Sequence, residues 1–324
     1  MEKVDIMKDA FGRKINYLRI SVTDLCNLRC KYCMPEEGIS KVHHEDVLSI
    51  EEIEEIVKVF VSLGVNKIRI TGGEPLVRNG IIEIVRRIGN LDGVQDLAMT
   101  TNGVLLKKYA QDLKSVGLNR VNISLDTLNE EKYAYITRGG KLKNVLDGIE
   151  TARKVGLTPI KINIVLIGGF NEDEIEDFIM LTKKEDIDVR FIELMPIGES
   201  IKLESEYYVS NQLILDKVPE LIKVEREDIS SPAVYYKLPN SKGKVGIINP
   251  ISCKFCEYCN RIRLTAQGKL KLCLHSNEEI DLKASLRNGE DIKEIILESI
   301  NQKPESHNLE SGKYVSKNMN QIGG

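Results

Sequence analysis

The cysteines are the residues of this chain whose types and spacing point most directly to chemistry. The 324-residue chain holds seven of them, in one group of three and one group of four. In chain order they are Cys26, Cys30, Cys33, Cys253, Cys256, Cys259 and Cys273. In a reducing compartment such groups serve as thiolate ligands or nucleophiles and not as a disulfide framework. The spacing therefore directs attention to metal chemistry at two places.

The first group has the pattern C-x3-C-x2-C and directly follows the first β-rich run of the chain. A 4Fe-4S cluster held by three cysteines leaves one iron open to a small molecule. The alternative is a zinc site completed by His43 or His44, but structural zinc sites usually carry two C-x2-C pairs. The spacing favours the cluster.

The second group contains a C-x2-C-x13-C set formed by Cys256, Cys259 and Cys273. This is again a set of three ligands, which predicts a second cluster with an open iron. Cys253 is a fourth candidate whose role stays open. A zinc ribbon that uses all four thiolates is the alternative, although such ribbons usually show two C-x2-C knuckles.

Six β-rich runs alternate with amphipathic helical stretches and must position the first group. The strands are predicted at 17–22, 67–71, 96–100, 120–125, 158–167 and 188–194. Such alternation indicates parallel βαβ units, and six of them form an incomplete (β/α)6 TIM-like barrel. A doubly wound open sheet is the rival fold. In a barrel, the first cysteine group would lie in a βα loop at the C-terminal mouth.

The pattern changes near residue 198, which predicts a partial barrel over 1–198 and a second region over 199–324. In the second region, short runs such as VYYKL, KVGII, RIRLT and KLKLCL indicate antiparallel strands, which with two helices would complete the open side of the barrel. The tail from residue 302 onward is polar and ends in Gly-Gly, so we expect it to be flexible by itself.

Charge and hydropathy exclude other classes of function. The chain has 46 Lys and Arg against 49 Asp and Glu, a net charge of −3 that gives no basic field for nucleic acid. No apolar run approaches the ~18 residues of a membrane span, and the N-terminus lacks the apolar stretch of a signal peptide. We therefore expect a cytoplasmic protein without nucleic-acid or membrane partners. No P-loop pattern is present, so any phosphates must be held by side chains.

The motifs C-N-L-R-C-K-Y-C-M-P and T-G-G-E-P resemble those of the radical S-adenosylmethionine (SAM) superfamily. The resemblance implies that the open iron of the first cluster binds SAM, which is split to give a 5′-deoxyadenosyl radical. It implies that the glycine motif receives the SAM amino group, with Glu74 as a further acceptor. The SAM contacts carried over to this sequence are Tyr32, Gly73, Ser124 and Met195.

The motif C-x2-C-N-R-I-R-L-T and the final Gly-Gly narrow the resemblance to the GTP 3′,8-cyclase family of molybdenum-cofactor biosynthesis. Leu25 is a small departure, since many members carry Arg there. The resemblance implies two 4Fe-4S clusters and a reaction in which the C3′ radical of GTP attacks C8 of guanine. It implies that Arg261 and Arg263 guide the substrate and that Gly323 and Gly324 enter the active site. The GTP contacts carried over are Arg19, Arg69, Thr100, Lys161, Arg261 and Arg263.

The alternation of side chains along a strand supports a ligand inside the barrel. Residues two positions apart lie on the same face, so Lys67 and Arg69 share one face of their strand, and Asn122 and Ser124 share one face of theirs. Cations buried there need an anionic partner such as a triphosphate. The resemblance further implies an electron donor, a downstream cyclic pyranopterin synthase and a homodimer. The alternatives are a radical SAM peptide or protein maturase with an auxiliary cluster, or a zinc-stabilised binding module without catalysis.

Overall fold

The computed structural model describes residues 6–39, 43–309, 312 and 314–323. Within these residues, twelve strands form one continuous sheet. The strands are β1 (Tyr17–Ser21), β2 (Lys67–Thr71), β3 (Asp96–Thr101), β4 (Arg120–Ser124), β5 (Ile160–Leu166), β6 (Ile187–Glu193), β7 (Ile222–Lys223), β8 (Ala233–Lys237), β9 (Val245–Ile248), β10 (Arg261–Leu264), β11 (Lys269–Lys271) and β12 (Ile280–Asp281).

Eleven α-helices lie between or after the strands of the described residues. They are α1 (Ile50–Ser62), α2 (Ile81–Gly89), α3 (Leu106–Ser115), α4 (Glu130–Thr137), α5 (Leu142–Lys154), α6 (Ile175–Lys184), α7 (Ile201–Tyr207), α8 (Gln212–Lys217), α9 (Leu282–Arg287), α10 (Ile292–Ile300) and α11 (Met319–Ile322). No helix of the described residues is long and apolar enough to cross a membrane.

The first half of the chain forms the predicted βα units, and local signals explain where they begin. Helix α1 starts at Ser49, whose hydroxyl accepts from the Glu52 amide while the Glu52 carboxylate accepts from the Ser49 amide. This capping box satisfies two backbone donors and contributes about 1 kcal/mol. Helix α1 buries Ile53, Ile56 and Phe60 against the sheet, because these side chains recur at helical spacing.

Strand order settles the choice between the two folds considered from the sequence. Strands β1 to β6 follow one another in chain order, and each pairs in parallel with the next. A doubly wound sheet would instead reverse its strand order at an internal point. The partial TIM-like barrel is therefore confirmed.

Two strands of the expected antiparallel hairpins in the C-terminal region also pair in parallel with the barrel. Strand β9 pairs in parallel with β6, and β10 pairs in parallel with β1, so the barrel gains a parallel strand at each edge. The remaining strands β7, β8, β11 and β12 extend these edges in antiparallel pairs. The predicted antiparallel pairs are confirmed, since β8 pairs with β9 and β10 pairs with β11. The additional parallel pairings of β9 and β10 were not predicted, because a short apolar run carries no information about the direction of a distant partner.

The C-terminal tail, which we expect to be flexible by itself, packs against the barrel in this structure. Val315 forms a bridge with Ile197, and both side chains are buried together with Ile322. Helix α11 and Gly323 continue this packing, whereas Gly324 lies outside the described residues. Three well-placed apolar side chains are too few to create a sequence periodicity, yet they suffice to hold a short tail against the barrel.

Candidate active site

A cavity of about 550 Å³ lies between the strands of the barrel. It is lined by residues from both parts of the chain, and the sequence-predicted residues named next all contribute to its wall. They are Arg19, Cys26, Cys30, Tyr32, Cys33, Arg69, Gly73, Thr100, Ser124, Lys161, Met195, Cys256, Cys259, Arg261, Arg263 and Cys273. The fold thus brings residues from distant parts of the sequence to a single enclosed space.

The two cysteine groups lie toward opposite ends of the parallel strands. Cys26, Cys30 and Cys33 follow the C-terminal end of β1, whereas Cys259 directly precedes β10. Because β10 runs parallel to β1, with Tyr17 opposite Arg261, a residue before β10 lies near the N-terminal end of β1. Cys273 joins Cys259 at that end, since it follows β11, which is antiparallel to β10. The space between the two groups is the interior of the barrel.

Burial keeps the first group of thiols protonated in the absence of a compensating cation. It raises the pKa of Cys26 to about 11 and that of Cys33 to about 12. It also raises the pKa of Cys30 well above its ordinary value, with Cys33, Asp126 and Cys26 adding to the effect. Thiols that influence one another in this way are close neighbours. A bound metal removes the cost of burying a thiolate, because a coordinating thiol is deprotonated by the ion. These three residues therefore fit the ligand set of a three-cysteine cluster.

The second group of thiols has cationic surroundings. Burial raises the pKa of the Cys259 thiol, but Lys303, Arg261 and Arg13 outweigh it, so that this pKa lies below its ordinary value. Burial raises the pKa of Cys273, which is also influenced by Cys259 and Cys256. The amide of Cys259 donates to the carbonyl of Cys256 at 3.1 Å and closes a tight turn between them. Three thiols facing one cavity again fit a cluster with one open iron.

Cys253 stands apart from this arrangement. It is exposed and lines a separate small pocket instead of the central cavity. Within the described ranges, no three His, Cys, Asp or Glu side chains gather around a point suited to a single metal ion. His43, one of the two histidines considered as a zinc ligand, is exposed, and the side chain of His44 lies outside the described residues.

The glycine motif after β2 packs directly against the first cysteine loop. A Cβ atom at Gly73 would lie 2.5 Å from the carbonyl oxygens of Asp24 and Leu25, so only glycine fits. The next residue, Glu74, differs from expectation. Its carboxylate accepts from the amides of Leu76 and Asn102 and from the Thr101 hydroxyl, so it joins β2 to β3 and does not face the cavity.

Tyr32 and Asp126 connect the first cysteine loop to the far side of the barrel. The Tyr32 hydroxyl donates to the Asp126 carboxylate at 2.7 Å, and the other carboxylate oxygen accepts from the Val165 amide at 2.9 Å. Burial raises the pKa of Asp126 to about 6, while its hydrogen bonds favour the carboxylate. Sequence analysis assigned no role to Asp126, although it follows a strand end, where barrel sites are built.

Three arginines stand side by side on adjacent strands. Arg263 of β10 pairs in register with Arg19 of β1, which pairs with Arg69 of β2. Burial, with further cations nearby, lowers the pKa of Arg19 well below its ordinary value and that of Arg263 to about 10. Like charges buried together are costly unless an anion arrives between them. The row therefore concentrates positive charge on one side of the cavity.

Buried polar atoms without partners mark where such a ligand would contact the wall. Among the described residues, they include Nε of Arg69, Oγ1 of Thr100, both amide atoms of Asn122 and Oδ1 of Asn163. Native structures leave few buried polar groups unsatisfied, so a concentration of them in one cavity indicates a wall suited to a polar ligand. Asn163 and Arg190 were not singled out from the sequence. Their alternation with apolar residues along β5 and β6 was the available signal.

An acidic segment between β7 and β8 reaches the cations at the N-terminal end of the barrel. Asp228 forms an ion pair with Lys67 at 2.8 Å, and Glu227 forms one with Lys244 at 2.6 Å. The segment also supplies the Ser230 carbonyl as acceptor for Arg261. All six of these residues line the cavity. The segment thus occupies cationic groups that face the cavity.

Comparison with known proteins agrees with this site. The profile of the radical SAM superfamily matches residues 20–182, and that of Molybdenum Cofactor Synthesis C matches residues 187–309. A GTP 3′,8-cyclase of Peptoclostridium acidaminophilum is 59% identical over 100% of both chains. Another, of Alkaliphilus oremlandii, is 57% identical over 98% of this chain and 100% of its own. The chain belongs to the GTP 3′,8-cyclase family.

Structural similarity places this GTP 3′,8-cyclase family member among radical SAM folds. The crystal structure of Streptococcus suis SuiB bound to precursor peptide SuiA superposes with a TM-score of 0.63 and 13% identity, covering 96% of this chain and 77% of that chain. SuiB bound to S-adenosylmethionine superposes with a TM-score of 0.57 and 15% identity, covering 87% and 65%. At this identity, the similarity concerns the fold alone. Within the family profiles, the first cysteine group falls in the radical SAM part and the second in the C-terminal part.

Proposed function

We propose that this chain is a radical SAM GTP 3′,8-cyclase, which converts GTP to (8S)-3′,8-cyclo-7,8-dihydroguanosine 5′-triphosphate in the first step of molybdenum-cofactor biosynthesis. The observation that carries the proposal is the placement of buried arginines between two three-cysteine groups in one cavity. A cavity with a redox centre at each end and cations between them suits a nucleotide triphosphate whose sugar and base must react together. Full-length relatives of the same name support it.

The chain holds its cofactors through residues whose chemistry fits them. Cys26, Cys30 and Cys33 hold the first 4Fe-4S cluster, and the set formed by Cys256, Cys259 and Cys273 holds the second. When bound, the clusters and SAM would supply radical chemistry for the C3′ position of the ribose and a place for the guanine to bind. Tyr32, Gly73, Ser124 and Met195 contact SAM.

The substrate is oriented by the basic wall of the cavity. Arg19, Arg69 and Lys161 bind the phosphates, Thr100 contacts the nucleotide, and Arg261 and Arg263 guide it toward the reacting geometry. In balance, GTP loses a hydrogen atom from C3′, gains a bond between C3′ and C8, and takes up one electron and one proton. The enclosed barrel excludes water and thereby protects the radical.

The proposal extends to the surroundings of the enzyme. We infer that it works in the cytoplasm, receives electrons from a separate donor, passes its product to a cyclic pyranopterin synthase, and forms a homodimer. The division into a partial barrel over 1–198 and a C-terminal region over 199–324 also stays a proposal. The continuous sheet means that the two regions share β1–β10 and β6–β9 pairings.

A radical SAM peptide maturase is the second candidate, and the fold shared with SuiB bears on it. The structural similarity between this chain and SuiB concerns the fold only. A peptide backbone is uncharged, so it would not compensate the buried row of Arg263, Arg19 and Arg69. The cationic cavity and the full-length relatives favour GTP as substrate.

One anaerobic experiment tests the function. The purified chain is analysed for iron, sulfide and zinc, then incubated with SAM, a low-potential reductant and either GTP or ATP. We expect iron and sulfide for two clusters and a cyclised product from GTP. The Cys26, Cys30 and Cys33→Ala variant should lose about half the iron, as expected for one of two like clusters. A zinc-loaded, iron-free chain that keeps its activity would contradict the proposal.

A further inference from the structure

Two buried cations outside the cysteine motif contact the backbone within two residues of the three cysteines Cys256, Cys259 and Cys273. The first is Lys303, which is 3% exposed and follows α10. Its ammonium donates to the carbonyl of Arg261 at 2.9 Å and to the carbonyl of Leu272. Leu272 directly precedes Cys273, and Arg261 lies two residues after Cys259. One side chain therefore ties together two of the three ligand-bearing segments.

The second cation, Arg13, contacts the remaining segment. It is 8% exposed, and its guanidinium donates to the carbonyl of Cys256 at 2.9 Å. The same group donates to the carbonyls of Pro304 and Glu305, at 2.7 and 2.8 Å. Residues 303–305 therefore connect the three cysteine segments. Lys303 reaches the segments of Cys259 and Cys273, and Arg13 joins residues 304 and 305 to Cys256.

The two cations differ in how their charges are balanced. Arg13 forms an ion pair with Asp9 at 2.6 Å. In the part of the chain that the structure describes, no ion pair joins Lys303 to an Asp or Glu, although Lys303 lines the cavity. A buried ammonium that contacts only carbonyl oxygens is costly unless a negative group lies nearby. The thiolates of Cys259 and Cys273 would be such groups when they hold a cluster.

We propose that Lys303 and Arg13 are positioning residues of the second iron–sulfur cluster, with different tasks. Lys303 holds the Cys259 and Cys273 segments and supplies a positive charge that stabilises the reduced, more negative cluster. Arg13 holds the Cys256 segment, and its own charge is neutralised by Asp9. This inference rests on the proposed second cluster. It goes further, because it assigns the retention and the reduction potential of that cluster to residues outside the cysteine motif.

The test uses the full chain with Cys26, Cys30 and Cys33 changed to Ala, so that only the second cluster contributes. Iron, sulfide and the midpoint potential, measured by anaerobic titration with a one-electron redox dye, are compared for Lys303→Met, Lys303→Arg and Arg13→Met. Lys293→Met is the control, because Lys293 is an exposed lysine of α10. We expect Lys303→Met to shift the reduction equilibrium about tenfold toward the oxidised cluster, which is about 59 mV for one electron.

Lys303→Arg should keep the potential of the parent, because it retains the charge. Arg13→Met should lose iron without a shift in the potential of the clusters that remain. Unchanged iron and potential in Lys303→Met would overturn the proposal. If Lys303→Met retains no cluster, retention in Lys303→Arg supports the proposal and loss in both overturns it. A parent chain without iron would instead contradict the proposed function, before any comparison at Lys303.

Discussion

The guanidinium of Arg263 donates a hydrogen bond to the carbonyl oxygen of Gly323. This contact joins β10 to the last residue that the structure describes, 60 positions further along the chain. A Cβ atom at Gly323 would lie 2.9 Å from the Thr71 hydroxyl and 3.1 Å from the Ser21 side chain. The tail therefore ends against β1 and β2, beside an arginine that lines the cavity.

The first prediction concerns this tail. Gly323 has a φ of +76°, and its surroundings leave no room for a methyl group, so Gly323→Ala should displace the tail. We expect cyclisation of GTP to fall at least about tenfold while cluster content and SAM binding persist, because the cysteine loops are untouched. A free peptide with the sequence of the last ten or so residues should restore part of the activity.

Gly312→Ala is the matched control for the tail. Gly312 also has a positive φ, +70°, but among the described residues no atom lies within 4 Å of its added Cβ. Both variants carry the same backbone strain, and only one meets a steric clash. Equal activity in the two variants would show that the position of Gly323 has no part in the reaction.

The second prediction concerns the ion pair between Asp228 and Lys67. Asp228→Asn should release the lysine for the phosphates of GTP and tighten GTP binding. The Asp228 side chain is 46% exposed, and such a pair contributes at most about 1 kcal/mol, which limits the gain to about fivefold. Calorimetric titration at low and high salt measures it, with exposed Asp216→Asn as control. Weaker GTP binding in Asp228→Asn would contradict competition between the carboxylate and the phosphates.

The third prediction concerns Arg261 and Arg263. Changing both to Ala should weaken GTP binding at least about tenfold for each residue, the effect of one lost charged hydrogen bond. SAM binding should persist, and thermal stability should fall little, because burial lowers the pKa of Arg263 and makes its charge costly in the empty site. Equilibrium binding of both ligands and a thermal scan test this. Normal GTP binding in the double variant would refute the assignment.

The fourth prediction is a pH dependence at Glu74. Burial raises the pKa of Glu74 from 4.5 to about 7. Between these values, the folded chain keeps a proton that the unfolded chain has released, so the free energy of unfolding falls as the pH rises toward 7. The shift corresponds to a loss on the order of 3 kcal/mol. In Glu74→Gln, the free energy of unfolding should not show this fall as the pH rises from about 5 to 7.

The measurement is the unfolding midpoint of the anaerobic protein at several pH values between about 5 and 8. Glu74→Gln also loses hydrogen bonds, so its absolute stability is lower and only the slope is informative. Exposed Glu55→Gln serves as control and should keep the slope of the parent. A slope in Glu74→Gln equal to that of the parent would show that Glu74 does not titrate in this range.

Much of the fold and of the candidate site could be predicted from sequence because the relevant information is local. Alternation of apolar residues marks β1 to β6, and the Ser49–Glu52 capping box marks the start of α1. The spacing of the cysteines defines two sets of three ligands. Each of these signals depends on residues a few positions apart, where backbone geometry relates sequence directly to structure.

The features that needed the tertiary structure depend on contacts between distant residues. The parallel pairing of β9 and β10 arises from neighbours in the sheet, and the internal hydrogen bonds of Glu74 arise from the approach of β3. The proposed role of the buried Lys303 ammonium depends on its position near the segments of Cys259 and Cys273, which are distant from it in sequence. The sequence by itself determined which residues could bind metal and where strands begin. Only the tertiary structure decided which charges are balanced, because burial and partnership are properties of packing and not of sequence spacing.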